Sequence, residues 1–424
     1  MAEAAAAAPS GRLSALQGTA LYVGVVLGTG VIALPALAAD VAGPASLLAW
    51  LGLAILSAPL AATFAALGAR HPDAGGVASY AGLAFGERAA AIVGWCFFFS
   101  VPVGAPAAAL WAGGYVAGAT GGGRATVDAT AVAMLIAAPL VNAFGVQLTG
   151  RVQLGLAGLL LAFLLVAVGL SLPHARLANL HPFAPHGWAA IGPAATKLVW
   201  SFVGWEAVTY LTAEFRRPRR DVPRATAAAV AVVGVVYLAV AFATVAVLGP
   251  GAGASVAPLG DLMAVGLGGS ARTLAAVTAV LLTLGVLNTY YAGASKLGAA
   301  LARDGSFPLW LARGSRSGEV PRRSLGFLGA LALVALVAAI LTDAGTGPLV
   351  LLTTGLFVAV YAVGVAAAVR LLPRRSRARA AAWVALVAVL ALLVMAGSYL
   401  IWPLVVTGGA LLYRRLRPRL PMPA

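Results

Sequence analysis

Glu206 is a carboxylate set in an otherwise apolar run, Trp200-Ser201-Phe202-Val203-Gly204-Trp205-Glu206. Far upstream, Gly28-Thr29-Gly30 interrupts a second long apolar stretch, between Leu27 and Val31-Ile32-Ala33-Leu34-Pro35. Both patterns break a helix where a membrane-spanning helix should be continuous. In hydrocarbon an unpaired backbone group costs several kcal/mol, so such a break survives only where it lines a cavity and meets something polar. Amides freed at the start of the following half-helix suit a carboxylate. The chemistry indicated is therefore recognition of a small carboxylate-bearing solute at membrane depth, centred on Gly28, Thr29, Gly30 and Val31.

A carboxyl group at that depth is expensive in its charged form and is a functional candidate by default. Glu206 can accordingly take up and release a proton, or its oxygens can cap the unwound amides of its own helix; the two roles are compatible. Lys296 is placed to pair with a carboxylate, to sense substrate, or to snorkel towards the cytoplasm. Lys197 reaches the outer surface or its vestibule, and Glu214 sits beside Arg216 and Arg217 as a loop-positioning ion pair. Trp200, Phe202 and Trp205 supply rings around the second break, as Tyr290 and Asn288 supply side chains in a later span. Such rings either shut a pocket from water or face lipid. The four histidines are all in loops without ligand spacing, so no metal site is expected. No phosphate loop, nucleotide fingerprint or catalytic triad appears, which speaks against an enzyme and against a cofactor. Cys96 is alone, excludes an intrachain disulfide and reads as a small packing residue.

The elements that must position these residues follow from composition. The 424 residues are 62% hydrophobic and 9% charged, against about 25% charged in soluble domains, so an all-α integral membrane protein is expected. Apolar runs of about 20 residues occur near 15–39, 44–68, 90–118, 127–147, 152–172, 191–214, 225–248, 271–302, 324–341, 347–371, 380–396 and 398–413, giving twelve candidate transmembrane helices. The net charge of +16 is not a nucleic-acid signal. With a cytoplasmic N-terminus, every Lys and Arg except Arg124, Arg176, Arg272, Lys197 and Lys296 falls on the cytoplasmic side, as the positive-inside rule requires. Contact with anionic lipid follows. The first residues lack the basic region of a cleaved signal, and both termini are expected in the cytoplasm of a multi-pass protein of the cell membrane.

The second break lies five spans after the first, which is the layout of an inverted repeat with a midplane site. The expected organisation is a tail at 1–11, a first half at 12–172 broken near 28–30, a second half at 190–372 broken near 202–205, two appended helices at 380–413 and a basic tail at 414–424. Between the second and third spans, Arg70-His71-Pro72 to Glu87 is turn-rich and moderately apolar, and reads as a re-entrant or surface-lying segment, with an ordinary loop as the alternative.

These motifs together resemble the amino acid–polyamine–organocation superfamily. The resemblance rests on Gly28-Thr29-Gly30 with Pro35, the His71-Pro72 to Gly86 stretch, Gly94-Trp95, the Trp200 to Glu206 string, Glu214 through Pro223, and Arg303-Asp304-Gly305-Ser306-Phe307-Pro308. It covers roughly residues 12–372 and implies the five-plus-five inverted-repeat (LeuT-like) fold and alternating access. Residues 17–112 look most like bacterial exporters of methionine and branched-chain amino acids, through Leu27 to Ala39, Pro72 to Ala78 and Val101 to Ala107. The span-six string is also similar to that of arginine/agmatine antiporters. That likeness implies Trp200 as a substrate-covering ring, carbonyls of Phe202 and Val203 (with Gly204 in the same turn) near the amine, Glu206 as the coupling carboxylate and Tyr290 as a gating aromatic. Residues 152–172 lack the lysine that replaces a sodium ion in some relatives, and no acidic pocket residue is present to bind a guanidinium.

The resulting expectation is proton-coupled efflux of methionine, leucine, isoleucine or valine by a monomer or homodimer. The substrate's side chain would lie near Gly104, Val203 and Tyr290, with Trp205 and Lys296 at the gates. An importer or exchanger with the same site, and a membrane sensor that binds amino acids without moving them, are the alternatives.

Overall fold

The computed structural model describes residues 13–71, 76–144, 150–206, 215–313 and 320–416. Leu-, Ala-, Val- and Gly-rich runs can satisfy their backbone in a membrane only by closing their own hydrogen bonds, and among the described residues the regular structure is helical, joined by turns and short connections, with one isolated bridge between Leu13 and Phe215. The helices are α1 (Ala15–Leu27), α2 (Leu34–Ala42), α3 (Ser46–Arg70), α4 (Gly76–Phe85), α5 (Glu87–Thr120), α6 (Arg124–Ala143), α7 (Gly150–Ser171) and α8 (Ile191–Leu198). They continue with α9 (Pro218–Leu248), α10 (Pro258–Leu267), α11 (Ala271–Arg303), α12 (Arg322–Leu341), α13 (Gly347–Leu371), α14 (Arg377–Met395) and α15 (Ile401–Leu416).

Among the described residues nine segments are long and apolar enough to cross a membrane. Of the twelve expected spans, the three that do not qualify are informative. The first is divided into α1 and α2, and α1 alone, at 1.5 Å per residue, reaches only about 20 Å. The described part of the sixth holds α8 and a 3-10 turn over Val199–Phe202, and residues 207–214, with Glu214, lie outside the described residues. The twelfth, α15, has 16 residues.

α5 and α13 form the centre, with α5 lying against α6, α11 and α13. The apolar window of α13 is 67% buried, whereas that of α14 is only 17% buried. The broken segment α1 lies against α7 and α9, and α8 against α2 and α3. The segment after His71 contains the ten-residue helix α4, packed on α5 and α13; Pro72 to Gly75 lie outside the described residues. The helix α10 was not expected, although Pro258 at its start and Asp261 in its first turn are ordinary initiation signals. Asp261 also accepts from Ser255 Oγ at 2.7 Å and pairs with Arg272 at 3.1 Å, fixing the entry to α11. Cys96 is buried in the core.

Candidate functional site

The first break is built from glycine. Gly28 sits at φ +39°, closes α1 by donating to Gly24 O at 3.4 Å, and is followed by a 3-10 turn over Gly30–Ile32. Among the described residues no hydrogen-bond acceptor meets the amides of Thr29, Gly30 and Val31. Pro35 then lies in the first turn of α2, where its missing N–H leaves nothing unsatisfied. At the second break the tight turn over Val199–Phe202 gives way to extended Val203 and to Gly204 at φ +125°, a region that side chains other than hydrogen rarely occupy. The breaks touch: a methyl built on Gly204 would stand 3.3 Å from Val25 O and from Val26 Cα.

Three tyrosines from unbroken helices meet the backbone groups these breaks expose. The Tyr237 hydroxyl of α9 lies 2.6 Å from Val26 O and 2.5 Å from Ser201 O, so a single proton is shared between carbonyls of the two breaks. The Tyr361 hydroxyl of α13 donates to Glu206 Oε2 and accepts from Gly204 N at 3.1 Å. The same amide donates to Glu206 Oε2 at 2.9 Å. Tyr115 of α5 donates to Ile32 O at 2.6 Å and accepts from Leu259 N at 3.2 Å. Sequence reasoning missed all three, although each is a phenol in the middle of an apolar run.

Between the breaks is a cavity with about 60 Å³ open to water-sized molecules. Gly28, Thr29 and Gly30 line it from the first break, Trp200 and Val203 from the second, Ser100 and Gly104 from α5, Tyr290 from α11, and Thr353 and Phe357 from α13. No charged side chain lines it among the described residues. Trp200 covers one side. A methyl on Gly30 would come within 2.9 Å of its Cδ1, and a methyl on Gly104 within 2.9 Å of its Cη2, so two glycines make room for the indole. Trp111 packs edge-on against the same ring at 5.3 Å. On the other side, Val25, Gly28, Val286 and Tyr290 are shared with a vestibule of about 590 Å³ that runs along α11 past Lys296 to Ala300 and includes Glu206.

Gly28, Thr29, Gly30, Gly104, Trp200, Val203 and Tyr290 therefore meet at one cavity. Val31 faces the core and offers only its amide. The Phe202 ring packs on Trp50 and Tyr237, and its carbonyl lies 3.5 Å from the Tyr361 hydroxyl. Gly204 is committed to Glu206 and Tyr361 rather than to the cavity wall, so the capping reading of Glu206 has a geometric basis. Asn288 does not line the cavity. It stands two residues from Tyr290, about 200° around the helix, and its carbonyl accepts from Asn142 Nδ2 at 3.1 Å. Trp205 is fully buried and lines neither space, because the turn at Gly204 redirects it. Lys296 is exposed and belongs to the vestibule. Lys197 is half-buried on α8.

Apolar helices, two of them broken against each other around a small uncharged cavity, make a multi-pass membrane permease. The chain belongs to the amino acid permease family, whose model matches residues 13–415. It is 34% identical over 402 residues to the amino acid permease YecA of Bacillus subtilis, covering 95% of each chain. It is 33% identical over 408 residues to the L-methionine/branched-chain amino acid exporter YjeH of Escherichia coli, covering 92% of this chain and 96% of that one. The branched-chain amino acid permease BcaP of B. subtilis is 23% identical over 247 residues, 54% of this chain and 53% of its own. These relatives are named as permeases and exporters, and the chain is a transporter of amino acids rather than an enzyme.

Proposed function

We propose that this permease exports neutral apolar amino acids, methionine, leucine, isoleucine and valine, by alternating access coupled to proton entry. The observation that carries the reading is the uncharged cavity bounded by two helix breaks, with the amides of Thr29, Gly30 and Val31 unpartnered among the described residues. A carboxylate satisfies those amides. The ammonium meets main-chain carbonyls near Phe202 and Val203. The side chain lies against Gly104, Val203, Tyr290 and Phe357, a surface suited to hydrocarbon or a thioether and without a carboxylate for a cationic one. Trp200 closes one side, and the vestibule beyond Tyr290 is the path to the cytoplasm. The name of YjeH supports the substrate class and the direction.

Glu206 couples the proton to the site. As a carboxylate it accepts from Tyr361 and from the Gly204 amide; as an acid it has one proton to donate and a weaker hold on that amide. Protonation thus alters the turn that carries Val203 into the cavity. The twelve-helix count, the halves at 12–172 and 190–372 as an inverted repeat, helices 380–413, and cytoplasmic tails at 1–11 and 414–424 in the cell membrane complete the proposal, in a monomer or homodimer.

The test is flux. In proteoliposomes loaded with labelled amino acids, an outside-acid gradient should speed efflux of methionine and the branched-chain amino acids and leave arginine unmoved. In cells overproducing the protein, intracellular methionine should fall; a rise overturns the direction, and no flux of any amino acid overturns transport itself.

A further inference from the structure

α14 lies against α3 and α13 yet leaves most of its apolar surface open. Between α3, α8 and α14 runs an open groove of about 570 Å³ in which every lining residue is apolar. Gly52 of α3 forms part of its wall, and a methyl built there meets nothing within 4 Å. Ile191 and Ala195 of α8 form a second wall, and α14 supplies the third from Trp383 to Met395. At 1.5 Å per residue this stretch of α14 is about 18 Å long. One lipid chain spans about half of a hydrocarbon core roughly 30 Å thick, so groove and chain are of similar length.

Beyond the Trp383 end of the groove, on the same helix, lie basic residues. Lining residues on α14 recur at helical spacing, and one turn before Trp383 the same stripe reaches Arg379, while seven residues before Val384 it reaches Arg377. Both follow Arg374 and Arg375 at the start of the helix, where the apolar segment begins. Hydrocarbon along the wall and positive charge at its foot match one molecule of stated chemistry. We propose that this groove binds an anionic phospholipid of the bilayer, its acyl chain lying along α14 from Trp383 towards Met395 and its phosphate meeting Arg377 and Arg379. The consequence reaches the cavity. α8, which forms a wall of the groove, continues directly into Trp200, and a methyl on Gly192 would stand 3.0 Å from Met395 Cε. The bound chain braces the short helix that carries the cavity's cover.

The test uses the full chain purified in detergent and stripped of lipid, titrated with phosphatidylglycerol or with phosphatidylcholine of the same chains. Thermal midpoint and lipid retained in native mass spectrometry are read. Phosphatidylglycerol should raise the midpoint and be retained; phosphatidylcholine at equal concentration should not. One basic residue near the headgroups is worth on the order of fivefold in affinity, so Arg377→Gln with Arg379→Gln should weaken phosphatidylglycerol by about 30-fold. Gly52→Leu should fill the groove and abolish the lipid-induced shift while leaving the lipid-free midpoint unchanged. Should these variants not fold, phosphatidylglycerol with a photoreactive chain should label the Trp383 to Met395 segment of the unaltered protein. Equal effects of the two lipids, undiminished binding to Gly52→Leu, labelling elsewhere, or a dimer that Gly52→Leu dissociates would each overturn the assignment. Binding rather than flux is measured, so the result stands apart from the direction of transport.

Discussion

Gly104→Ala is the most direct probe of the cavity. Gly104 lies within the unbroken helix α5, so the substitution brings no backbone strain and changes only what its new methyl meets. That methyl would stand 2.9 Å from Trp200 Cη2 and 3.1 Å from Thr353 Cγ2. Carbon atoms settle at about 3.5–4.0 Å, so the indole must retreat by roughly half an ångström to one ångström. It has nowhere easy to go, with Gly30 close to its far edge and Trp111 against its face. Overpacking of this kind costs about 1–3 kcal/mol, or about 5- to 150-fold in a dissociation constant. Substrates that fill the side-chain region should bear the loss: methionine and leucine should weaken by that factor, and alanine and glycine by less than threefold. Competition for bound labelled methionine on purified protein reads both, with the lipid-free thermal midpoint as a control for folding. If methionine binds the variant as tightly as it binds the unaltered protein, Gly104 and Trp200 do not bound the substrate. A uniform loss across all amino acids would equally refute the side-chain placement.

Three further outcomes are expected. Glu206→Gln keeps an oxygen for the Gly204 amide but removes the titrating group, so efflux should become insensitive to an outside-acid gradient while exchange of methionine across the membrane persists; a retained response to the gradient would remove Glu206 from coupling. Tyr237→Phe leaves Val26 O and Ser201 O without their shared donor and should destabilise the protein by about 1–3 kcal/mol, measured as a lowered thermal midpoint with loss of methionine binding; an unchanged midpoint would show that neither carbonyl needs the phenol. Arg124 pairs with Asp343 at 2.5 Å and with Asp128 at 3.4 Å on an exposed surface, so Arg124→Ala should change stability by no more than about 1 kcal/mol, and a larger loss would mark that cluster as a structural tie between α6 and the turn that follows α12.

Much of the fold was legible because a membrane imposes long apolar runs, and glycine or proline inside such a run has few explanations. Gly28, Gly30 and Gly204 announced the breaks for that reason, and Trp200 and Val203 came with them. Asn288 and Tyr290 stand two residues apart in one span, so helical periodicity lets only one of them face the cavity, and only the packing around the helix selects Tyr290. Trp205 was misplaced because its direction depends on the φ of Gly204, which sequence does not give. The tyrosines were hidden by distance along the chain: Tyr361 meets Gly204 across 157 residues and Tyr237 meets Val26 across 211. Thr353 and Ser100 enter the cavity from spans whose composition is otherwise featureless.

Held between Gly30 and Gly104, Trp200 is less a hinged flap than a wedge gripped by two jaws. On the proposed function, release of substrate towards that side then requires the jaws to part first. If Trp200 closes the site as proposed, the seal is a property of how far the first break stands from α5, and a sequence change that spreads or tightens that gap, however remote from the indole, should reset how long a solute stays trapped.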